Sequence, residues 1–253
     1  MLQPMRIAVF HDLAAGGAKR ALYDVCRVLA QQGHHLDLFI PETADETFLP
    51  LVRFVKKTQI FPTKATRENS VKGPAIRTRW TGFFTKACQK QIADTINRAH
   101  YDIALVHPGR YPNVPFLLRY LTIPSLLYLM EKNRVLSEVP IVDLMSSCSN
   151  KNTLSKVWQS SFMNQILVNI QHHKWAERKN ILFATTVLSI SNFAREGILM
   201  STGVNAHVNY LGVDTDEFRP LKLPREPIVL TVGRVQHLKG FRFLIASVAK
   251  IDV

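Results

Sequence analysis

The chain has 253 residues, with 32 Lys+Arg against 19 Asp+Glu and a formal charge of +13. Its length holds one large domain, or one domain and part of another, and 47% hydrophobic residues suffice for a packed core, which excludes wholesale disorder. Eleven Gly and thirteen Pro exclude collagen-like or low-complexity architecture, while three scattered cysteines (Cys26, Cys88 and Cys148) form neither a disulfide framework nor a CxxC clip.

A reducing, cytoplasmic compartment is the simpler expectation from those cysteines. The apolar run 7–10 is ended at once by His11 and Asp12, too short for an export signal. The longest apolar stretch, 114–130, contains Arg119, Pro115 and Pro124. It falls short of the roughly 20 apolar residues of a spanning helix. The excess positive charge implies an acidic partner: nucleic acid, an anionic membrane surface or a phosphorylated small molecule.

In chain order, residues 6–10 form a short continuous apolar run, the mark of a strand buried on both faces of a parallel sheet. A tight loop, Ala14-Ala15-Gly16-Gly17, precedes a helix over 18–32 with Ala18, Ala21, Leu22, Val25 and Leu29 along one face. Gly33 stops that helix, and 36–40 is the second strand of a βαβ unit. Residues 58–61 make a third strand, 63–74 a basic loop, and 76–98 a helix that is aromatic on one side and cationic on the other. Strands follow at 102–107 and 125–129, with a helix at 116–121 between them. Residues 154–184 are helical in composition, 186–190 a strand, 191–202 a helix capped by Ser191 and stopped by Gly203, and 206–210 a strand. After linker-like residues 221–227 come a strand at 228–232, a loop at 233–239 and a helix at 240–251. The expected fold is α/β, a Rossmann-like doubly wound parallel sheet over 1–222. Residues 223–253 add a linker and the first βα unit of an incomplete second domain, because one strand and one helix cannot bury their own apolar faces.

Gly16 and Gly17 lie between a buried strand and a helix start. There, free N–H groups and the helix dipole suit a phosphate or a close substrate, although the same pair also serves a plain tight turn. No GxGxxG, HExxH, GxSxG or P-loop occurs. Arg234 and Lys239 flank a loop after the 228–232 strand, a bidentate fork and a point charge suited to a diphosphate, or else a solvated basic loop. His107 ends its strand at the edge where open sheets bind ligands, although a lone His there is more often structural than catalytic. Glu131 reads as the only carboxylate near that edge. The histidine pairs at 34–35 and 172–173 read as surface residues, and no metal cluster is visible. The 76–98 helix is either core packing with a solvated face or a surface that docks on an anionic bilayer. Dispersed cations without a nucleic-acid module argue against nucleic acid.

Several stretches, in this order, resemble the family 4 glycosyltransferases. These are Arg6-Ile7-Ala8-Val9-Phe10 leading to Gly16-Gly17-Ala18, then Val187 to Arg195, Tyr210-Leu211-Gly212-Val213-Asp214 with Phe218 and Pro220, and Val232-Gly233-Arg234 with Lys239-Gly240. The resemblance implies two facing Rossmann-like domains (the GT-B architecture) and retaining, metal-independent sugar transfer from a nucleotide sugar to a glycan or lipid-linked acceptor. By the same resemblance Arg234 and Lys239 clamp the donor diphosphate, Gly16 and Gly17 let the acceptor-side loop approach it, and His107 with Met130-Glu131 lines the acceptor side. No cofactor is implied beyond the nucleotide-sugar substrate. Met130 stands where the family often has His or Gln, and Glu131-Lys132-Asn133-Arg134 departs from its Glu-Pro-x-Arg pattern. The family's E-x7-E segment does not occur before Val253, so the chain is expected to be an amino-terminal fragment with little transferase activity alone. The contrasting expectation is a non-catalytic basic α/β module on an anionic membrane or polysaccharide, peripheral at the inner face of the membrane.

Overall fold

The computed structural model describes residues 3–63, 74–110, 112–132, 171–221, 224, 226–233, 235 and 239–250, with backbone alone at 74–84. The chain divides into two compact units, Met1–Leu211 and Gly212–Val253.

In the first unit the strands are β1 (Arg6–Phe10), β2 (His35–Pro41), β3 (Lys57–Phe61), β4 (Ile103–Val106), β5 (Ser125–Tyr128), β6 (Thr186–Ser189) and β7 (His207–Val208). They form one seven-stranded sheet in the order β3-β2-β1-β4-β5-β6-β7, and every pairing is parallel. The sheet is a Rossmann-like doubly wound α/β sheet, as its apolar runs predict. Successive side chains point to opposite faces. Ile7 and Val9 of β1 therefore join one apolar cluster with Leu22, Cys26, Leu36, Leu38 and Leu51. Ala8 and Phe10 join the other with Phe39, Ile92, Ile96, Val106, Leu127 and Ile198. Burial on both faces is why these strands read as continuous apolar runs.

Helix α1 (Gly17–Gln31) covers the first cluster and α2 (Pro74–Asn97) contributes Ile92 and Ile96 to the second. A third helix, α3, is described over 171–181, and α4 spans Asn192–Thr202. Ser191 caps α4, its Oγ accepting from the Ala194 N–H at 3.1 Å, and Gly203 closes it at φ 81°. The helix expected over 116–121 is instead a 3₁₀ turn, Phe116–Arg119, opened by Pro115. It is too short for an α-helix, and its Phe116, Leu117 and Leu118 are all buried. The expected loop at 64–73 and helix at 154–170 lie outside the described residues.

Within the second unit, residues 228–232 pair with no described strand, so the strand expected there is not found. Among the described residues that segment has no ladder to satisfy its backbone. Helix α5 (Phe241–Val248) starts from Gly240 at φ 68° and has no buried residue. Ile228, Val229, Leu230, Val232, Phe243 and Ile245 are all exposed. Among the described residues no helix is long and apolar enough to cross a membrane.

Candidate functional site

All seven strands of the first unit are parallel, so the loops after β1, β2, β4 and β5 gather at one edge of the sheet. Between β1 and β4 the chain order reverses, opening the crevice where such sheets bind ligands. Past the strand ends β1 and β4 stay knit: the His107 N–H donates to the Phe10 carbonyl at 2.9 Å and the Asp12 N–H to that of Pro108 at 3.4 Å. The turn into α1 then passes Gly16, whose φ of 151° is open to glycine and strained for other residues. A Cβ there would meet nothing within 4 Å, so the requirement is conformational. Helix α1 begins with no side-chain cap and no acidic residue in its first turn.

Beneath this turn lies a buried polar network that periodicity alone did not single out. Lys19 and His11 are both fully buried. Lys19 Nζ forms an ion pair with Glu46 Oε1 and sits 3.2 Å from His11 Nε2. His11 Nδ1 accepts the Leu13 N–H at 3.2 Å. The neutral ring therefore carries its proton on Nε2 and donates it to Glu46 Oε1 at 2.9 Å. Burial holds His11 below the ordinary histidine range, and the Lys19 charge adds to this against the Glu46 hydrogen bond. Burial pushes Glu46 up, but hydrogen bonds from His11, Lys19 and the Leu51 N–H outweigh it and leave the carboxyl below its usual value.

The loop after β2 fastens this turn from outside. Thr43 Oγ1 donates to Asp12 Oδ1 at 2.8 Å, and Asp45 Oδ2 accepts the Ala15 N–H at 3.2 Å. Hydrogen bonds from the Thr47 hydroxyl and the Phe48 and Thr47 N–H groups lower Asp45 to about 2. Asp12 is raised by burial, against the Thr43 hydrogen bond and the Arg110 guanidinium 3.8 Å away. Asp12, Asp45 and Glu46 correct the expectation that Glu131 is the only carboxylate at this edge. Loops after β1 and β2 converge there, and sequence spacing alone does not bring them together.

His107 sits immediately past β4, fully buried. Among the described residues neither of its ring nitrogens has a hydrogen-bond partner. Its ring packs edge-on against Tyr128 at 5.6 Å, and the Tyr128 hydroxyl is anchored by donating to the Asn209 carbonyl at 2.7 Å. Burial, with the neighbouring Lys19 charge adding to it, lowers His107 to about 3. It is thus a neutral imidazole with one donor and one acceptor left over. A buried polar group without a partner is rare enough to need a cause, and a ligand group supplies one.

The other expected residues are placed less closely. Glu131 is exposed, and its backbone carbonyl accepts from Asn113 Nδ2 at 3.3 Å. Lys239 is exposed in the second unit, and Arg234 lies outside the described residues. Of the histidine pairs, His34 is half-buried and its Nδ1 accepts the Met5 N–H at 3.1 Å, a structural task at the opposite edge of the sheet. The aromatic side of the 76–98 helix falls largely on side chains outside the description. Cys26 and Cys88 are pushed up to about 12 by burial, which leaves inert thiols. No group of three or more potential metal ligands occurs among the described residues.

No known family's sequence profile matches the chain, and no curated protein matches it. Solved structures resemble it only loosely. The calicheamicin glycosyltransferase CalG4 is 11% identical with a TM-score of 0.41, over 75% of this chain and 48% of that one. MurG of Acinetobacter baumannii is 14% identical with a TM-score of 0.40, over 76% and 42%. UGT89C1 of Arabidopsis thaliana, complexed with UDP-L-rhamnose, is 12% identical with a TM-score of 0.49, over 100% and 64%. The chain spans about half the length of the first two. At these values the overlaps establish neither a shared family nor a shared activity.

Proposed function

We propose that the first unit is the acceptor-side domain of a retaining, metal-independent glycosyltransferase of the family 4 type, using a nucleotide sugar and a glycan or lipid-linked acceptor in the cytoplasm. The observation that carries this reading is His107, a buried neutral imidazole without a partner at the β1/β4 crevice. A sugar hydroxyl is both donor and acceptor, so it matches a neutral ring. The glycine turn after β1, with open space around Gly16 and Gly17, leaves backbone room for a close ligand. The ordered motifs from Arg6 to Gly240 support the same assignment.

In this reading His107 holds a hydroxyl of the sugar or acceptor, Gly16 and Gly17 line the approach, and Glu131 borders the acceptor. Arg234 and Lys239 stabilise the departing diphosphate, because cations aimed at developing charge do the work a metal would otherwise do. The exposed apolar residues of the second unit fit a donor-binding domain completed by further polypeptide, so the chain alone binds donors poorly. Work at an anionic membrane face would follow from the +13 charge.

Saturation-transfer NMR on the whole chain tests this. A panel of oligosaccharides and of UDP-, GDP- and ADP-sugars is presented to the wild type and to His107→Leu. The expected result is saturable binding of at least one oligosaccharide, weakened tenfold or more in His107→Leu, with nucleotide sugars binding more weakly than micromolar. Absence of any oligosaccharide signal, or equal signals in both proteins, would remove the proposal.

A further inference from the structure

Helix α3 buries Ala176, Glu177, Asn180 and Ile181 and exposes His172, Trp175, Arg178 and Lys179. Trp175 is 49% exposed, and Leu182 and Phe183, in the turn that ends the helix, are 69% and 55% exposed. We infer that this face docks on an anionic lipid bilayer, its apolar side chains at headgroup level and its cations against lipid phosphates. The inference gives the membrane part of the proposed function a surface and rests on that part alone.

Charge complementarity chooses the occupant. Residues 171–184 carry the cations Lys174, Arg178 and Lys179 and a single acidic residue, Glu177, which is buried. Arg119 joins them from the 3₁₀ turn, its guanidinium 5.7 Å from the Trp175 ring centre, with Lys179 Nζ at 4.4 Å. The partners of these cations are neutral. Arg178 Nε donates to the Ser201 carbonyl at 2.7 Å, and Arg119 donates to the Asn180 side chain and the Ala176 carbonyl. A ring or a carbonyl satisfies a cation without cancelling its charge. Among the described residues no carboxylate pairs with any of the four, and clustered Lys and Arg on a helix face attract an anionic leaflet.

The apolar members decide between a bilayer and other polyanions. Nucleic-acid bases stack on aromatic rings, but Leu182 offers no such platform and would stay in water. A bilayer boundary takes all three apolar side chains, because Trp, Phe and Leu enter it while Lys and Arg reach the headgroups. Trp175 with Lys179 over its ring joins both preferences at one point of the surface. This face is separate from the 76–98 helix, the docking candidate that the sequence offers.

Co-sedimentation of the whole chain with vesicles of phosphatidylcholine, alone or mixed equally with phosphatidylglycerol, tests the inference. Binding to the mixed vesicles should be at least tenfold tighter than to phosphatidylcholine alone and should weaken as salt rises. Lys174→Glu with Lys179→Glu, checked for native circular dichroism, should weaken it at least tenfold. Brominated lipid should quench the tryptophan fluorescence of the wild type and much less that of Trp175→Phe, which should still bind. Binding unchanged in the double variant, or equal quenching in Trp175→Phe, would overturn this surface and leave a bilayer partner standing. Failure to bind the mixed vesicles would overturn the surface and the membrane reading together, while sugar binding at His107 is read separately. Tighter binding of a single-stranded oligonucleotide, without quenching by brominated lipid, would assign the face to nucleic acid and overturn it as well.

Discussion

The His107 ring packs like a core side chain, but among the described residues neither of its nitrogens has a hydrogen bond. Its pKa is lowered to about 3, so between there and the ordinary 6.5 the unfolded chain binds a proton that the folded chain refuses. Stability from this group is therefore full above pH 6.5 and is lost as pH falls. At pH 5 the loss is about 2 kcal/mol from this residue. Urea unfolding at pH 7 and pH 5 should show it, with a smaller drop in His107→Leu. At pH 7 that variant should be as stable as the wild type or more so, because it removes two buried polar atoms that have no partner. At the glycine turn the two neighbours should differ. Gly16→Ala should cost about 1–3 kcal/mol for its φ of 151°. Gly17→Ala, inside the helix with open space around it, should be neutral or stabilising by up to about 1 kcal/mol. Thermal melts of the two variants check this, and equal losses would contradict the backbone account.

Among the elements, the loop after β2 holds the turn after β1 through Glu46. Breaking a buried ion pair leaves an uncompensated charge. Glu46→Gln should therefore destabilise the fold by about 3 kcal/mol, and Lys19→Met by less, because it removes the buried charge as well. Denaturant midpoints of the two variants measure the difference, and the reverse order would show that Lys19 is not held as an ion pair. The strands and α1 were legible because burial on both faces writes continuous apolar runs. Lys19 stands outside the apolar stripe read from the sequence, because a charge interrupts that pattern. Its spacing to Leu22 and Cys26, three and seven positions on, was the available signal for a place on the buried face. Glu46 was legible only in principle: the acidic run Asp45-Glu46 follows a parallel strand and so must lie at the ligand edge. Residues 228–232 show the opposite failure, since β-like composition does not make a strand where no described neighbour pairs with it.

For the whole molecule, the two units differ in kind. The first buries two clusters on either side of one sheet, while the second exposes most of its apolar residues. Folding cooperativity should follow that division: amide exchange should be slow across β1, β2, β4 and β5 and fast throughout α5. The residues of the proposed site divide along the same line, with His107 and the glycine turn in the first unit and Lys239 in the second. The most direct check on the sugar-site claim is the ring ¹⁵N spectrum of His107 in histidine-labelled protein, assigned by comparison with His107→Leu. The account predicts a neutral ring that does not titrate between pH 7 and 5, and a saturable shift of one ring nitrogen on adding the oligosaccharide that binds. A ring that protonates near pH 6.5, or one indifferent to every saccharide offered, would contradict it.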